Sequence, residues 1–159
     1  MVLDTRGLDR GIPALFAWLT RDGLLMPDQV PQLLDAMGER GLSAEEAAVM
    51  VGGVDDHEVA RRHARNFHVP LVADDAGPDP SLTLAELLPA AFCRRHLMVP
   101  LGRTATGMVL AMVDPSRIWL HAEITMMTGL ELDVRVAPLA RVRQWVELVH
   151  GPAPAGTPA

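Results

Sequence analysis

The stretch Met108–Gly129, MVLAMVDPSRIWLHAEITMMTG, runs from an unbroken apolar segment through Asp-Pro-Ser into a helical pattern. Pro115 fixes its own φ near the helical value and has no N–H to leave unpaired in a first turn. Asp114 therefore reads as a helix N-cap, its carboxylate accepting the free N–H groups of the first turn and meeting the positive end of the helix dipole. Ile118, Trp119, Ala122 and Met126 recur at helical spacing, and Gly129 supplies the C-terminal stop. A lone carboxylate with no second acid, base or metal partner nearby gives a catalytic reading little support.

Outward from this stretch the same alternation of elements continues. LMVPLGR and GMVLAMV are apolar β segments separated by TAT, a hairpin, and LDVRVAP alternates Leu132, Val134 and Val136 as a strand does. LPAAFCRRH precedes them as a short helix, and a last helix carries Val142, Trp145, Val146 and Val149 on one face. Residues 82–150 are thus expected to form an α-β-β-α-β-α subdomain with a three-stranded sheet. Ala73–Ser81, ADDAGPDPS, is acidic and Pro/Gly-rich and reads as a linker; residues 151–159, GPAPAGTPA, read as a disordered tail.

Residues 1–72 read as helices. Ile12, Leu15, Phe16 and Leu19 form one stripe; Val30, Leu33, Leu34 and Met37 form another, running from Pro27 to Gly38. Ser43 with Glu46 three residues on is a capping-box start, and Asp55-Asp56-His57-Glu58 opens a further helix through Arg65. GLLMPDQVPQLLDAM and GGVDDHEVARRHARN superimpose with Gly23 on Gly52, Leu25 on Val54, Val30 on Val59 and Leu34 on His63, an offset of 29 residues. That period fits a duplicated helical hairpin, although two copies alone also fit ordinary bundle packing. The fold class is α+β, a helical hairpin repeat followed by the small sheet subdomain.

Composition closes several functional routes. All 14 basic residues are arginine, which excludes a phosphate-binding P-loop lysine and Schiff-base chemistry. A net charge of −6 argues against a general nucleic-acid or anionic-membrane binder, and 4 % aromatic content offers few stacking platforms. Cys93 is the one cysteine and reads as a buried small hydrophobe in a reducing compartment. No apolar run approaches the ~20 residues of a membrane span, so a cytoplasmic chain without membrane insertion is expected. His57, His63 and His68 suggest a metal, but His57 and His63 are six apart and point to different helix faces, so no metal and no catalytic residue is assigned. The methionines Met108, Met112, Met126 and Met127 read as core filler. Arg61, Arg62 and Arg65, and Arg94 and Arg95 beside His96, form two basic spots suited to an acidic partner or a phosphate.

Helical hairpins, the short Val69-Pro-Leu71, and then VPLGR, GMVLAMVDPSR and MMTGLELDVRVAP resemble the N-terminal domain of the type II secretion and type IV pilus assembly ATPases, the GspE-N or MshEN domain. In that family the Asp-Pro and Thr-Gly pairs are structural marks. The resemblance covers roughly residues 12–150 and leaves out the motor ATPase, so the chain looks like a free-standing module. It implies interaction rather than catalysis: docking on the cytoplasmic part of an inner-membrane assembly protein or, in one branch, binding cyclic di-GMP.

The cyclic di-GMP motif is a tandem Arg-Leu-Gly, glycine turn, helically spaced leucines and a glutamine. Its positions fall here on Leu15, Leu19, Gly23 and Leu34, and on Gly52, Val59 and His63. Ala14 and Ser43 stand in place of the arginines, Phe16 and Glu45 in place of the glycines, Met37 and Asn66 in place of the glutamines, and His63 replaces a leucine. Two lost charge-assisted hydrogen bonds remove on the order of 3–6 kcal/mol. Cyclic di-GMP is accordingly not expected, nor any cofactor. The leading expectation is a non-enzymatic module whose partner is an inner-membrane assembly protein, a motor ATPase supplied in trans or another regulator of secretion, pilus or motility machinery. The runner-up is a nucleotide sensor drawing its arginines from elsewhere, such as Arg21 or Arg40. Residues 82–150 are expected to fold independently while the helical half, the more mobile, presents the partner surface.

Overall fold

The computed structural model describes residues 12–153, and the chain divides between Arg62 and His63 into two compact units. The class is α+β, a helical N-terminal part followed by a region with a three-stranded mixed sheet.

In the first unit α1 spans Ala14–Arg21 and buries Leu15, Phe16 and Leu19, the stripe expected from the sequence. Gly23 follows with φ 77°, a left-handed turn that glycine adopts without a Cβ clash. A 3₁₀ turn, Pro27–Gln29, leads into α2, Val30–Arg40. Gly38 does not stop this helix; it runs on to Gly41, whose φ of 67° supplies the left-handed C-cap. Ser43 and Glu46 form the expected capping box, Glu46 N–H donating to Ser43 Oγ at 3.1 Å and Ser43 N–H to Glu46 Oε1 at 3.0 Å. The helix they start, α3 (Ala44–Glu46), widens into a π-helical turn at Ala47–Val51. α4 spans Asp56–Phe67, and the unit boundary falls within it. Leu15, Phe16, Leu19, Leu25, Leu33, Ala48 and Val59 close one apolar core.

In the second unit α5 is Ala90–His96, β1 Met98–Arg103, β2 Gly107–Met112, α6 Ile118–Thr128, β3 Glu131–Val136 and α7 Leu139–His150. β1 and β2 are the expected antiparallel hairpin, broken between Pro100 and Gly102 by a bulge. β3 pairs parallel to β2, as the α6 crossover requires, with Gly107 opposite Glu131 and Met112 opposite Val136. A Cβ on Gly107 would lie 1.9 Å from the Glu131 carbonyl oxygen, so only glycine lets the two strands approach there. The Val-Pro-Leu segment joins the free edge of β3: Val72 N–H donates to Val136 O, and Val136 N–H to Pro70 O, both at 2.9 Å.

The segment expected as a linker is bound down within this unit. Arg141 donates to the carbonyls of Ala73, Asp74 and Ala76 at 2.9–3.2 Å while its guanidinium stacks 4.6 Å over the Trp145 ring. Asp79 N–H donates to Leu101 O, the residue inside the β1 bulge, at 2.8 Å. A Pro/Gly-rich stretch makes no helix or strand of its own, but its carbonyls remain acceptors, and Arg141 collects three of them.

Candidate functional site

Asp114 is not the N-cap of α6. That position is Arg117, held outside the helical region at φ −83°, ψ 73°. Asp114 Oδ1 instead accepts Ser116 N–H at 2.9 Å and Ser116 Oγ–H at 2.6 Å, closing an Asx turn, and Arg117 lies 3.5 Å from its other oxygen. The carboxylate is held to the turn by residues two and three positions on, so the helix starts later than the Asp-Pro pair suggests. At the other end of α6 the Thr-Gly pair has a clear task. Thr128 Oγ1 donates to Ile124 O at 2.8 Å and accepts Leu130 N–H at 3.2 Å, while Gly129 takes φ 70°.

The two hairpin turns have matching backbone connections. Leu25 N–H donates to Leu19 O at 3.3 Å and Val54 N–H to Ala48 O at 3.0 Å, both six residues back and 29 residues apart. The left-handed glycines do not keep that offset: Gly23 and Gly53 carry φ 77° and 71°, whereas Gly52 is right-handed at φ −79°. The π turn at Ala47–Val51 adds the residue that shifts them. Gly52 is needed for space instead, since a Cβ there would meet Ala48 O at 2.8 Å and Leu25 Cδ1 at 3.1 Å.

The degenerate motif positions are mostly core. Leu15, Leu19 and Val59 are buried, and Leu34 is half-buried against the same cluster. Phe16, where the motif has a glycine, is only 1 % exposed, and Glu45 in the second copy is buried as well. His63 is buried and stacks on Phe67, with centroids 5.7 Å apart. Beside α1 an open groove of about 500 Å³ is lined by Ile12, Phe16, Ala17, Thr20, Arg21, Pro27 and Val30. Among the described residues its one cation is already engaged, because Arg21 Nε lies 3.2 Å from Asp22 Oδ1.

The basic spots divide. Arg62 is an internal clamp, its Nε 3.0 Å from Asp22 Oδ2 and its Nη1 2.6 Å from Glu58 Oε2, with only 10 % of the side chain exposed. It therefore ties the turn of the first hairpin to the second helix of the next. The hydrogen bond from Arg21, then that from Arg62, holds the Asp22 carboxyl below its ordinary value. Arg61 also pairs with Glu58, and Arg94 Nη2 donates to Gly151 O at 2.9 Å, capping the C-terminus of α7. Arg65 and Arg95 are exposed. Cys93 is buried, and desolvation pushes its thiol up to about 12, with Arg94 opposing only weakly. That leaves no thiolate near neutral pH.

Sequence reasoning missed the Arg62–Asp22 tie, which spans 40 residues and has no local signal. The Arg141–Trp145 stack was detectable, since the two lie four residues apart on a helix face. The methionines are split: Met108 and Met112 are buried, while Met126 and Met127 on α6 are exposed, contrary to core filler.

Comparison with known proteins agrees with this architecture. A type IV pilus assembly ATPase PilB of Myxococcus xanthus (strain DK1622) is 24 % identical over 132 residues, covering 81 % of this chain; the chain spans 23 % of that relative's length. Two solved structures share the fold. The N-terminal domain of XpsE superimposes with a TM-score of 0.66 at 21 % identity, covering 84 % of this chain and 91 % of that one. A structure of MshE with cdg gives 0.60 at 19 % identity, covering 86 % and 98 %. The MshEN domain family matches residues 67–155, more than half of the sequence, and the chain belongs to that family.

Proposed function

We propose that this chain is a non-enzymatic docking or regulatory module of type II secretion or type IV pilus machinery, acting in the cytoplasm by protein contact. Family membership supports the machinery. The observation that carries contact over ligand binding is the fate of the tandem motif. Its arginine positions are Ala14 and Ser43, and one glycine position holds a buried phenylalanine ring, so these positions offer neither the charge nor the backbone approach that a phosphate needs. Among the described residues no helix is long and apolar enough to cross a membrane, which fits a partner-recruited module. The partner is an inner-membrane assembly protein, or a motor ATPase supplied in trans. Affinity purification of the tagged chain from its native cell is expected to enrich a secretion, pilus or motility component over an untagged control. Enrichment of none would contradict the proposal.

A second reading rests on one observation, the likeness to MshE, whose structure is described with cdg. In it the chain binds a cyclic dinucleotide through Arg21 at the groove beside α1. The existing Arg21–Asp22 pair weakens this reading, since a carboxylate beside the groove's arginine repels a phosphodiester.

A further inference from the structure

We propose that the groove between residues 78–85 and the last turn of α7 is a docking site for a basic, amphipathic segment of a partner protein, an assignment that rests on the docking reading above. Arg141, Trp145, Leu148 and Val149 follow one another along one face of α7 at helical spacing. The chain's own residues 73–77 cover the first part of that face. Arg141 holds the carbonyls of Ala73, Asp74 and Ala76, and Trp145 Nε1 lies 3.7 Å from where a Cβ on Gly77 would stand. Beyond Gly77 the segment leaves the helix. Asp79 N–H donates to Leu101 O at 2.8 Å, and the Asp79 carboxylate closes a turn by accepting Ser81 N–H at 2.9 Å and Ser81 Oγ–H at 2.7 Å. The divergence opens a groove of about 480 Å³, lined chiefly by Pro78, Pro80, Leu82, Leu84, Leu148 and Val149, within the size range of clefts that seat a ligand. Leu84 is buried there, whereas Leu148 and Leu82 stay 68 and 37 % exposed.

Charge selects the occupant. Residues 73–86 and the last turn of α7 carry Asp74, Asp75, Asp79, Glu86 and Glu147, all exposed, and no arginine. The Ser81 hydroxyl, then its N–H, holds the Asp79 carboxyl below its ordinary value, so it is charged at neutral pH. Burial, then Arg94, lowers His150 and leaves it neutral there. Arg141 and Arg94 spend their donors on main-chain carbonyls, Arg141 on residues 73–76 and Arg94 on Gly151. An apolar groove between acidic segments, on a chain of net charge −6, disfavours a phosphate, an anionic lipid surface or a second copy of the chain, and favours lysine and arginine. Leu82 on one wall and Leu148 on the other suit apolar residues three or four apart on an incoming helix whose flanks are basic.

Photo-crosslinking of the full chain in its native cell tests this, with p-benzoylphenylalanine in place of Leu148 and, as a control on α6, in place of Met126, followed by mass-spectrometric sequencing of the crosslinked peptide. The expected product, from position 148 and not from 126, is a segment of a different protein in which apolar residues are flanked by lysine or arginine. Leu82→Ser in the same chain should cut its yield about tenfold, the effect of losing one apolar anchor. Glu147→Lys should cut it several-fold through charge alone, and it keeps the test intact if Leu82→Ser unfolds. An acidic crosslinked segment, one from a second copy, or a yield that neither substitution lowers overturns the proposal. So does the lack of a crosslink at 148 while affinity purification still enriches a machinery component; the docking reading then stands and this surface falls. Failure of that enrichment contradicts the docking reading itself and removes the basis of this surface with it.

Discussion

The helical unit and the sheet unit differ in how completely their long helices bury their apolar residues. In the first, Leu15, Leu19, Leu25 and Leu33 turn inward, leaving Leu24, Met26 and Met50 exposed in its turns and short helices, and Arg62, the one buried arginine among its described residues, is closed off between Asp22 and Glu58. In the second, the core is complete with Met108, Leu110, Met112, Leu120 and Ile124, yet α6 still holds Ile118, Trp119 and Met126 in solvent. Most positions that resemble a ligand site are thus consumed by packing, while the most exposed of the large apolar side chains, Met126 and Ile118, lie on a helix that no ligand motif marks. A repeat can outlast its binding chemistry because its leucines stabilise the fold whether or not a ligand is bound.

The sharpest way to break this comparison is Gly107→Ala. Its methyl group would collide with the Glu131 backbone, so the β2–β3 ladder must shift, and a loss of about 4 kcal/mol or more is expected. Hydrogen exchange should show the sheet unit deprotected while α1 and α2 keep their protection; equal loss in both would mean that they do not behave as separate units.

Truncation comes next. A fragment beginning at residue 82 lacks the Val72–Val136 bond and the carbonyls held by Arg141, so it should melt at least about 10 °C below one beginning at residue 67. Equal melting would restore the reading of 73–81 as a free linker.

Arg62→Met is the matching test of the helical unit. It leaves Glu58 without its most buried partner and frees the Asp22 turn, for an expected loss of about 2 kcal/mol, below the value for a fully buried pair because both acids keep some solvent contact. Chemical denaturation followed by hydrogen exchange in α1 and α4 reads it out.

The smallest effect, acid sensitivity, separates the units by pH. Burial lowers His96, His121 and His150, all in the sheet unit; Arg117 and Arg95 add to this at His96 and Arg94 at His150, while Asp114 opposes it at His121. The unfolded chain then binds more protons than the folded one as pH falls through about 6.5, so the sheet unit weakens there and the loss levels off below the folded values. Asp22 is held low instead. Its stabilisation of the helical unit is present above the ordinary carboxyl value of about 3.9 and is lost as pH falls through it toward the depressed one. Melting curves of the two units at pH 7.5 and 5.5 should diverge; parallel curves would contradict the histidine assignment.

Much of the fold was legible because its signals are local. Period-two alternation marked β3, the Ser43–Glu46 box marked α3, and the 29-residue offset found the paired backbone bonds at Leu25 and Val54. The failures have one cause, interactions between residues far apart in sequence or choices the period leaves open. Helical spacing identified Ile118, Ala122 and Met126 as a stripe, but Leu120 and Ile124 fit the same period, and the choice of buried side depends on the sheet that α6 crosses. Nothing near Ala73 announces that Arg141 will collect its carbonyl. The candidate site was legible mainly as an absence, through Ala14, Phe16, Ser43 and Glu45.

The most direct test of the central claim, that the tandem repeat survives as scaffold without its phosphate chemistry, is calorimetric titration of the full chain with cyclic di-GMP. Losing two charge-assisted contacts lowers affinity by about two to four decades, so flat heats are expected at 100 µM protein and millimolar ligand. A saturable isotherm with a Kd of a few micromolar or below would contradict the claim and place the ligand back on the helical unit.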